Sequence, residues 1–441
     1  MWTGSGLVDD PAMTLVTPLI APAAGLAAVM LAMGRAAREA SVTLAKAGPQ
    51  ARTAGLKAMA SRVRSAGPAI LAANMADMEG GRSKGLAAAM LDRLELTPSR
   101  LEAMAAGIEE VAGIPDPVGE TIAQWTRPNG LEFSRVRTPI GVIGIIYESR
   151  PNVTADAGAL CVRSGNAAIL RGGSESLHSS LAIANALRAG LLDAGLPADA
   201  IQLVATPDRA AVGCMLAGLG GQLDVLVPRG GKSLVARVQE EARVAVIGHL
   251  EGLCHVYVHA GADEQKAIDI IVNAKLRRVG VCGSAETMLI DAGIAGTLLP
   301  KIAQALVQNG CELRGDARAC AIAPMMAASE ADWATEYLAP IISIAVVDGL
   351  DGAMAHIARY GSQHTDAIVT EDDAVAERFL AEVDSAIVMR NASTQFADGG
   401  EFGFGGEIGI ATGRIHARGP VGAEQLTIFK YQVRGTGQTR P

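Results

Sequence analysis

The chain has 441 residues, of which 49% are apolar, 19% charged and 3% aromatic, with a formal net charge of −8. That length holds two or three domains with cores of Ala, Val, Leu, Ile and Met, and the acidic balance argues against a nucleic-acid binder, which would carry a basic footprint. The six cysteines form no CxxC pair and no His/Cys ligand spacing, which predicts reduced thiols, with neither a disulfide framework nor a metal site.

Residues 1–23 read as a loose tail. Residues 11–34 carry no charge, yet Pro18 and Pro22 interrupt them and Asp9 and Asp10 precede them, so neither a membrane span nor a signal peptide is expected. A helical pattern runs from Ala24 to about Val118, and "TPSRLEAMAAGIEEVAGI" opens on a helix-start signal at Thr97. After the turn "RPNG", the segment "LEFSRVRTPIGVIGIIYES" alternates and then becomes a continuous β-branched run. It predicts an exposed ribbon feeding a buried strand. From there strands such as "AAILR", "IQLVA" and "LDVLVPR" alternate with helices such as "SLHSSLAIANALRAGLLDAG" and "KSLVARVQEEA", the signature of a doubly wound parallel sheet. A second α/β stretch runs from "EQKAIDIIVNAK" to "SAIVMRN", and the closing "TIFKYQVRG" alternates as a strand that can pair with the ribbon.

No GxGxxG occurs, and "PRGGKS" lacks the first P-loop glycine, since Leu226 stands there. The loops "RGGSES" and "PRGGKS" follow strands, where α/β sheets bind ligands; spacing alone leaves binding loops and plain tight turns both open. Cys282 lies in "KLRRVGVCGSAET", after Lys275, Arg277 and Arg278 and between small neighbours. Positive potential and access favour a reactive thiolate, and "GSAET" is expected to open a helix whose amides favour the anion. Packing, the commoner state of a cysteine, accounts for the other five. Asn152, after a proline in "ESRPNVT", is either an oxyanion donor or a turn residue. The histidines show no ligand spacing, so no His/Cys dyad is assigned.

Taken together, "PIGVIGIIYESRPNVTADAGALCVRSGNAAILRGGSES", "VLVPRGGKSL", "IVNAKLRRVGVCGSAET", "EVDSAIVMRNASTQFADGGEFGFGGEIGI" and "HARGPVGAEQLTIFKY" resemble the glutamate-5-semialdehyde dehydrogenase family. These enzymes, also called gamma-glutamyl phosphate reductases, are a branch of the aldehyde dehydrogenase superfamily. The resemblance runs in order from about residue 27 to 436. It implies an α/β, aldehyde-dehydrogenase-like fold. A doubly wound Rossmann-type cofactor domain would cover 24–126 and 141–253, an α/β catalytic domain 254–394, and an oligomerisation β-ribbon 127–140 with a C-terminal return over 408–436. The implied reaction is the NADPH-dependent reduction of L-glutamyl 5-phosphate to L-glutamate 5-semialdehyde with release of phosphate, in proline biosynthesis in the cytoplasm. A homo-oligomer, dimer or tetramer, is implied and a complex with the upstream glutamate kinase is conceivable; no membrane, nucleic acid or metal is.

By the same resemblance Cys282 is the nucleophile, and Asn152 places its amide opposite the Cys282 backbone N–H to hold the developing alkoxide. Arg171, Gly172, Gly173 and Ser174 form the first cofactor loop; Pro228, Arg229, Gly230, Gly231 and Lys232 form the second. Ser174 falls near a position where relatives carry an acid, which fits NADP, although Glu175 is next door. Arg277, Arg278, His364, Asn391 and Ser393 are the expected partners of the substrate's phosphate and carboxylate. The chain departs from the family with "LRRV" for "TQRP" and with Gln395 for an arginine, which suggests that Arg277 and Gln395 exchange an anion partner across one pocket. Glu251 in "HLEGLC" is a poor match to the superfamily's water-activating base. Two other readings remain: a hydrolytic dehydrogenase of a small acidic aldehyde, and a non-catalytic paralogue.

Overall fold

The computed structural model describes residues 25–440, so the expected tail over 1–23 lies outside the described residues. No helix among the described residues is long and apolar enough to cross a membrane. The chain divides into two compact units. The first runs to Ile247 and takes in Phe404–Ile408 and Gly422–Pro441; the second comprises Gly248–Gly403 and Gly409–Val421. The division falls before the expected junction at 253/254 for a local reason. The amides of Gly252 and Leu253 donate to Glu336 Oε1 (3.0 Å) and Ser362 Oγ (2.9 Å), which ties this stretch to the second unit.

In the first unit, helices from Leu26–Lys46 to Pro98–Gly113 precede the sheet. The last of them starts as its sequence predicts: Thr97 Oγ1 accepts from the Arg100 amide at 3.2 Å, and Pro98 occupies the first turn. The sheet has five parallel strands in the order Ile201–Leu203, Ala167–Arg171, Val142–Tyr147, Val225–Arg229, Ala245–Val246. Val142–Tyr147 is buried at every position, which explains its unbroken β-branched run. The strand order reverses beside it, so its carboxyl end is the topological switch point where such sheets bind ligands. The ribbon has three antiparallel strands, Thr121–Thr126, Glu132–Pro139 and Thr427–Arg434. The C-terminal strand pairs from Thr427↔Pro139 to Arg434↔Glu132, as its alternation predicts, and the ribbon belongs to the first unit.

The second unit is built on seven parallel strands. Their order is Met326–Ala327, Glu312–Gly315, Ile341–Val347, Ala285–Asp291, Cys254–Val258, Thr365–Val369, Ile387–Arg390. One difference from the sequence reading bears on the site. "GSAET" opens no helix; Ala285–Asp291 is a strand buried at all seven positions. Its charged members are held by partners, Glu286 by Lys275 and Asp291 by the Tyr257 hydroxyl. Cys282 therefore has no helix N-terminus behind it. It stands in a turn at the amino edge of the sheet, before Ala285.

Candidate active site

The turn that carries Cys282 is pinned from below. It leaves helix Glu264–Leu276 through Lys275, whose ammonium lies 2.5 Å from Glu286 Oε2 with both side chains buried. Burial pushes the Glu286 carboxyl up to about 7, against the pull of Lys275. Lys275 is thus matched to Glu286 and is not a free source of potential at the thiol, contrary to the sequence reading. Ser284 Oγ donates to the Lys275 carbonyl at 3.2 Å. Gln395 donates from Nε2 to the carbonyls of Ala274 (2.9 Å) and Arg278 (3.2 Å). Gln395 is buried and clamps backbone, whereas Arg277, the other residue of the expected exchange, is exposed, as is Arg278.

The segment before strand Cys254–Val258 presses on the same turn. A Cβ on Gly252 would lie 2.1 Å from the Cys282 carbonyl oxygen and 2.7 Å from Cys282 Cα, so only glycine fits. The Cys254 thiol donates to that carbonyl at 3.1 Å. Cys282 itself is partly exposed, and its sulfur and one nitrogen each of His249 and His364 lie within 4.8 Å of one another. His249 Nδ1 is 2.7 Å from the Ile410 carbonyl. A carbonyl only accepts, so Nδ1 carries a proton and faces Ile410. No spacing rule connects residues 249, 282 and 364; the sheet brings together the ends of three segments.

His364 is fully buried, with Nδ1 2.9 Å from Thr365 Oγ1 and 3.6 Å from Cys254 Sγ. Burial above all, and the nearby His249, hold its pKa well below the ordinary imidazole value. A neutral ring could meet an anionic substrate only through an N–H hydrogen bond, not as a cation. Asn391 is in the left-handed region (φ 50°), and its amide donates to the Thr370 carbonyl (2.9 Å) and accepts from the Thr370 amide (2.9 Å). Ser393 is buried and accepts from the Gln395 amide at 3.2 Å. Asn391 thus braces the Thr370 backbone and Ser393 the backbone of Gln395.

In the first unit a cleft of about 630 Å³ opens at the carboxyl end of the sheet. Arg171, Gly173 and Ser174 of the first loop line it, together with Arg93, Arg150, Arg209 and Arg237. A Cβ on Gly173 would meet Ser149 Oγ at 2.1 Å, so the loop backbone lies directly on the turn after Val142–Tyr147. Ser149 and Ser174 donate to the two oxygens of Glu175, at 2.7 and 2.8 Å. Burial works against that charge, but these bonds keep the carboxyl below its ordinary range. Arg171 donates to the carbonyls of Gly172 (2.8 Å) and Pro207 (3.2 Å), while its buried Nε has no partner among the described residues. Of the second loop, Pro228 is buried inside its strand, and Gly230, Gly231 and Lys232 are exposed where helix Lys232–Glu241 begins. The Gly231 amide donates to Glu148 Oε1 at 2.5 Å.

The comparisons with known proteins agree on what this architecture is. The sequence profile of the Aldehyde dehydrogenase family matches residues 11–339. A gamma-glutamyl phosphate reductase of Caulobacter sp. (strain K31) is 67% identical over 94% of this chain and 100% of its own length. That of Hyphomonas neptunium is 68% identical over 95% and 98%. The chain belongs to the gamma-glutamyl phosphate reductase branch of the aldehyde dehydrogenase family. The crystal structure of the Thermotoga maritima gamma-glutamyl phosphate reductase superposes with a TM-score of 0.91 at 42% identity, covering 93% of this chain and 100% of that one.

Aldehyde dehydrogenases use a nicotinamide cofactor, and the cleft fits one. It lies at the switch point, its loop glycine lets backbone approach closely, and its arginines suit phosphates. Family membership also sharpens the interest of Asn152, the first residue of helix Asn152–Arg163. It is exposed, and its Nδ2 donates to Asp156 Oδ2 at 2.9 Å, which uses one of two amide hydrogens. Burial pushes the Asp156 carboxyl up to about 6, against the Asn152 hydrogen bond and the charge of Arg229. A raised folded-state pKa adds stability that is complete below the unfolded value, near 3.8, and is lost as pH rises through about 6. Asp156→Asn is therefore expected to raise Tm at pH 7.5, with the gain over wild type shrinking as pH falls below about 5. Thermal melts of both proteins across that range check the sign.

Proposed function

We propose that this chain reduces L-glutamyl 5-phosphate to L-glutamate 5-semialdehyde with NADPH, releasing phosphate, as the second step of proline biosynthesis from glutamate in the cytoplasm. The observation that carries the reading is the partly exposed Cys282 held on a clamped turn with an imidazole beside its sulfur, in a chain 67% identical to a named gamma-glutamyl phosphate reductase.

In this mechanism His249 Nε2 takes the thiol proton. The thiolate attacks the acyl-phosphate carbon, the C–O bond to phosphate breaks with its electron pair, and a thioester remains on Cys282. When bound, the nicotinamide supplies the hydride that converts the thioester to a thiohemiacetal. Asn152 contributes an amide hydrogen to the developing alkoxide, with Asp156 orienting that amide. Collapse of the thiohemiacetal breaks the C–S bond, releases the aldehyde and restores the thiol with the proton held on His249. Arg277 and Arg278, exposed a short way upstream of Cys282, attract the anionic substrate.

Arg171 and Arg209 are proposed to select the 2′-phosphate of NADPH. Burial above all, with Arg209 beside it, holds the Arg171 guanidinium below its ordinary pKa against the pull of Glu175. Two guanidiniums that repel one another are a ready anion site.

The assay runs the reaction backwards. Purified protein receives glutamate 5-semialdehyde, NADP and phosphate, with phosphate omitted in parallel. Phosphate-dependent NADPH formation supports the proposal; equal turnover without phosphate indicates a hydrolytic dehydrogenase, and none from folded, NADPH-binding protein a non-catalytic paralogue.

The ribbon is the proposed oligomer contact. Ile428, Phe429, Tyr431 and Val433 are exposed on it, and Trp125 stacks on Phe133 at 5.4 Å beside Tyr431. Phe429→Asp combined with Tyr431→Asp is expected to shift the protein to monomer in analytical ultracentrifugation, while the unaltered chain sediments as a dimer or tetramer.

A further inference from the structure

The absence of ligand spacing in the sequence predicts no metal site, but the fold assembles a ligand set that spacing does not reveal. We propose that Cys282, His249 and His364 form a binding site for a soft divalent cation of the Zn²⁺ class, which reversibly closes the thiol. One atom from each lies within 4.8 Å of the others. A tetrahedral ion with Zn–S near 2.3 Å and Zn–N near 2.0–2.1 Å spaces such atoms about 3.3–3.6 Å apart, so side-chain rotations of about an ångström complete the site.

Both imidazoles are oriented for ligation. His249 Nδ1 is occupied by the Ile410 carbonyl at 2.7 Å. His364 Nδ1 is occupied by Thr365 Oγ1 at 2.9 Å and Cys254 Sγ at 3.6 Å. We assign Nε2 of each ring as the ligand nitrogen, because an outer partner on Nδ1 is how metal-binding histidines are usually fixed. The independent sign of a missing ligand is His364 Nε2, which is fully buried and has no hydrogen-bond partner among the described residues. Leaving such an atom unsatisfied is costly, and a bound cation would remove that cost.

Three protein ligands with an open fourth position make an exchangeable site rather than a closed structural one. On binding, Cys282 gives up its thiol proton to solvent and the sulfur lone pair goes to the cation; nothing is oxidised or reduced. Sharing its lone pair with the cation weakens the thiolate as a nucleophile, so occupancy is expected to oppose turnover. The proposal rests on the geometry of the cluster and not on Cys282 being the nucleophile, so its test does not use turnover.

The test titrates full-length, chelator-treated protein with Co²⁺ and follows thiolate-to-cobalt charge-transfer absorption. The expected result is a band saturating at one equivalent per chain, absent in Cys282→Ser. His249→Ala is expected to weaken binding by more than about tenfold. A parallel arm needs no buried substitution: one equivalent of Zn²⁺ is expected to slow iodoacetamide alkylation of Cys282 at least about tenfold, read by peptide mass spectrometry, leaving the other five cysteines unchanged. A charge-transfer band that persists in Cys282→Ser, binding without such a band, or unprotected alkylation of Cys282 would each overturn the proposal.

Discussion

Cys282→Ala is expected to lower the rate of semialdehyde formation by at least about 10⁴-fold, the scale of losing the nucleophile in covalent catalysis. NADPH affinity should not change, because the cofactor cleft is built by the first unit and Cys282 belongs to the second. Stability should change little, since the thiol is only partly buried at a turn. Steady-state kinetics, fluorescence titration with NADPH and a thermal melt separate the three effects. A variant that keeps a tenth or more of the activity would remove the thioester from the account.

Gly252→Ala should be nearly as damaging without touching a reactive group. The added carbon would lie 2.1 Å from the Cys282 carbonyl oxygen and 2.7 Å from Cys282 Cα. Both atoms are backbone, so the strain cannot be relieved by rotating a side chain. The Cys282 turn must move, against the Lys275–Glu286 pair and the Gln395 clamp that hold it from the other side. Displacing a reacting group by about an ångström costs about 10²-fold in rate, and overpacking costs about 1–3 kcal/mol of stability. The expected outcome is a folded protein with kcat about 10²-fold lower and an altered rate of Cys282 alkylation. Wild-type values for both would show that Gly252 does not set the position of the thiol.

How much of this was legible in the sequence depended on whether the signal was local. The run from Val142 to Tyr147 reads as a buried strand because every position is buried in a parallel sheet, and Thr97 reads as a helix start because its hydroxyl caps that helix. Cys282 was singled out by its surroundings, but its role came from the family resemblance, since composition cannot distinguish a nucleophile from a packed thiol. The errors share one cause, pairing across distance. "GSAET" looked like a helix start because the partners of Glu286 and Asp291, which let polar residues sit in a buried strand, are Lys275 and Tyr257. Lys275 looked like a source of potential because its partner was invisible. Nothing in "GSQHTD" reveals that the His364 ring is fully buried. Gly252 and His249 carried no usable signal: their importance is contact with residue 282, which only the fold creates.

The central claim is that acyl transfer passes through Cys282 and that phosphate, not water, releases the acyl group. The most direct measurement mixes the protein rapidly with glutamate 5-semialdehyde and NADP in the absence of phosphate, follows NADPH absorbance, and quenches for peptide mass spectrometry. The account predicts a single burst approaching one NADPH per chain, a glutamyl adduct on the Cys282 peptide, and continued turnover only when phosphate is added. Steady NADPH formation without phosphate, or an adduct on any other residue, would contradict it.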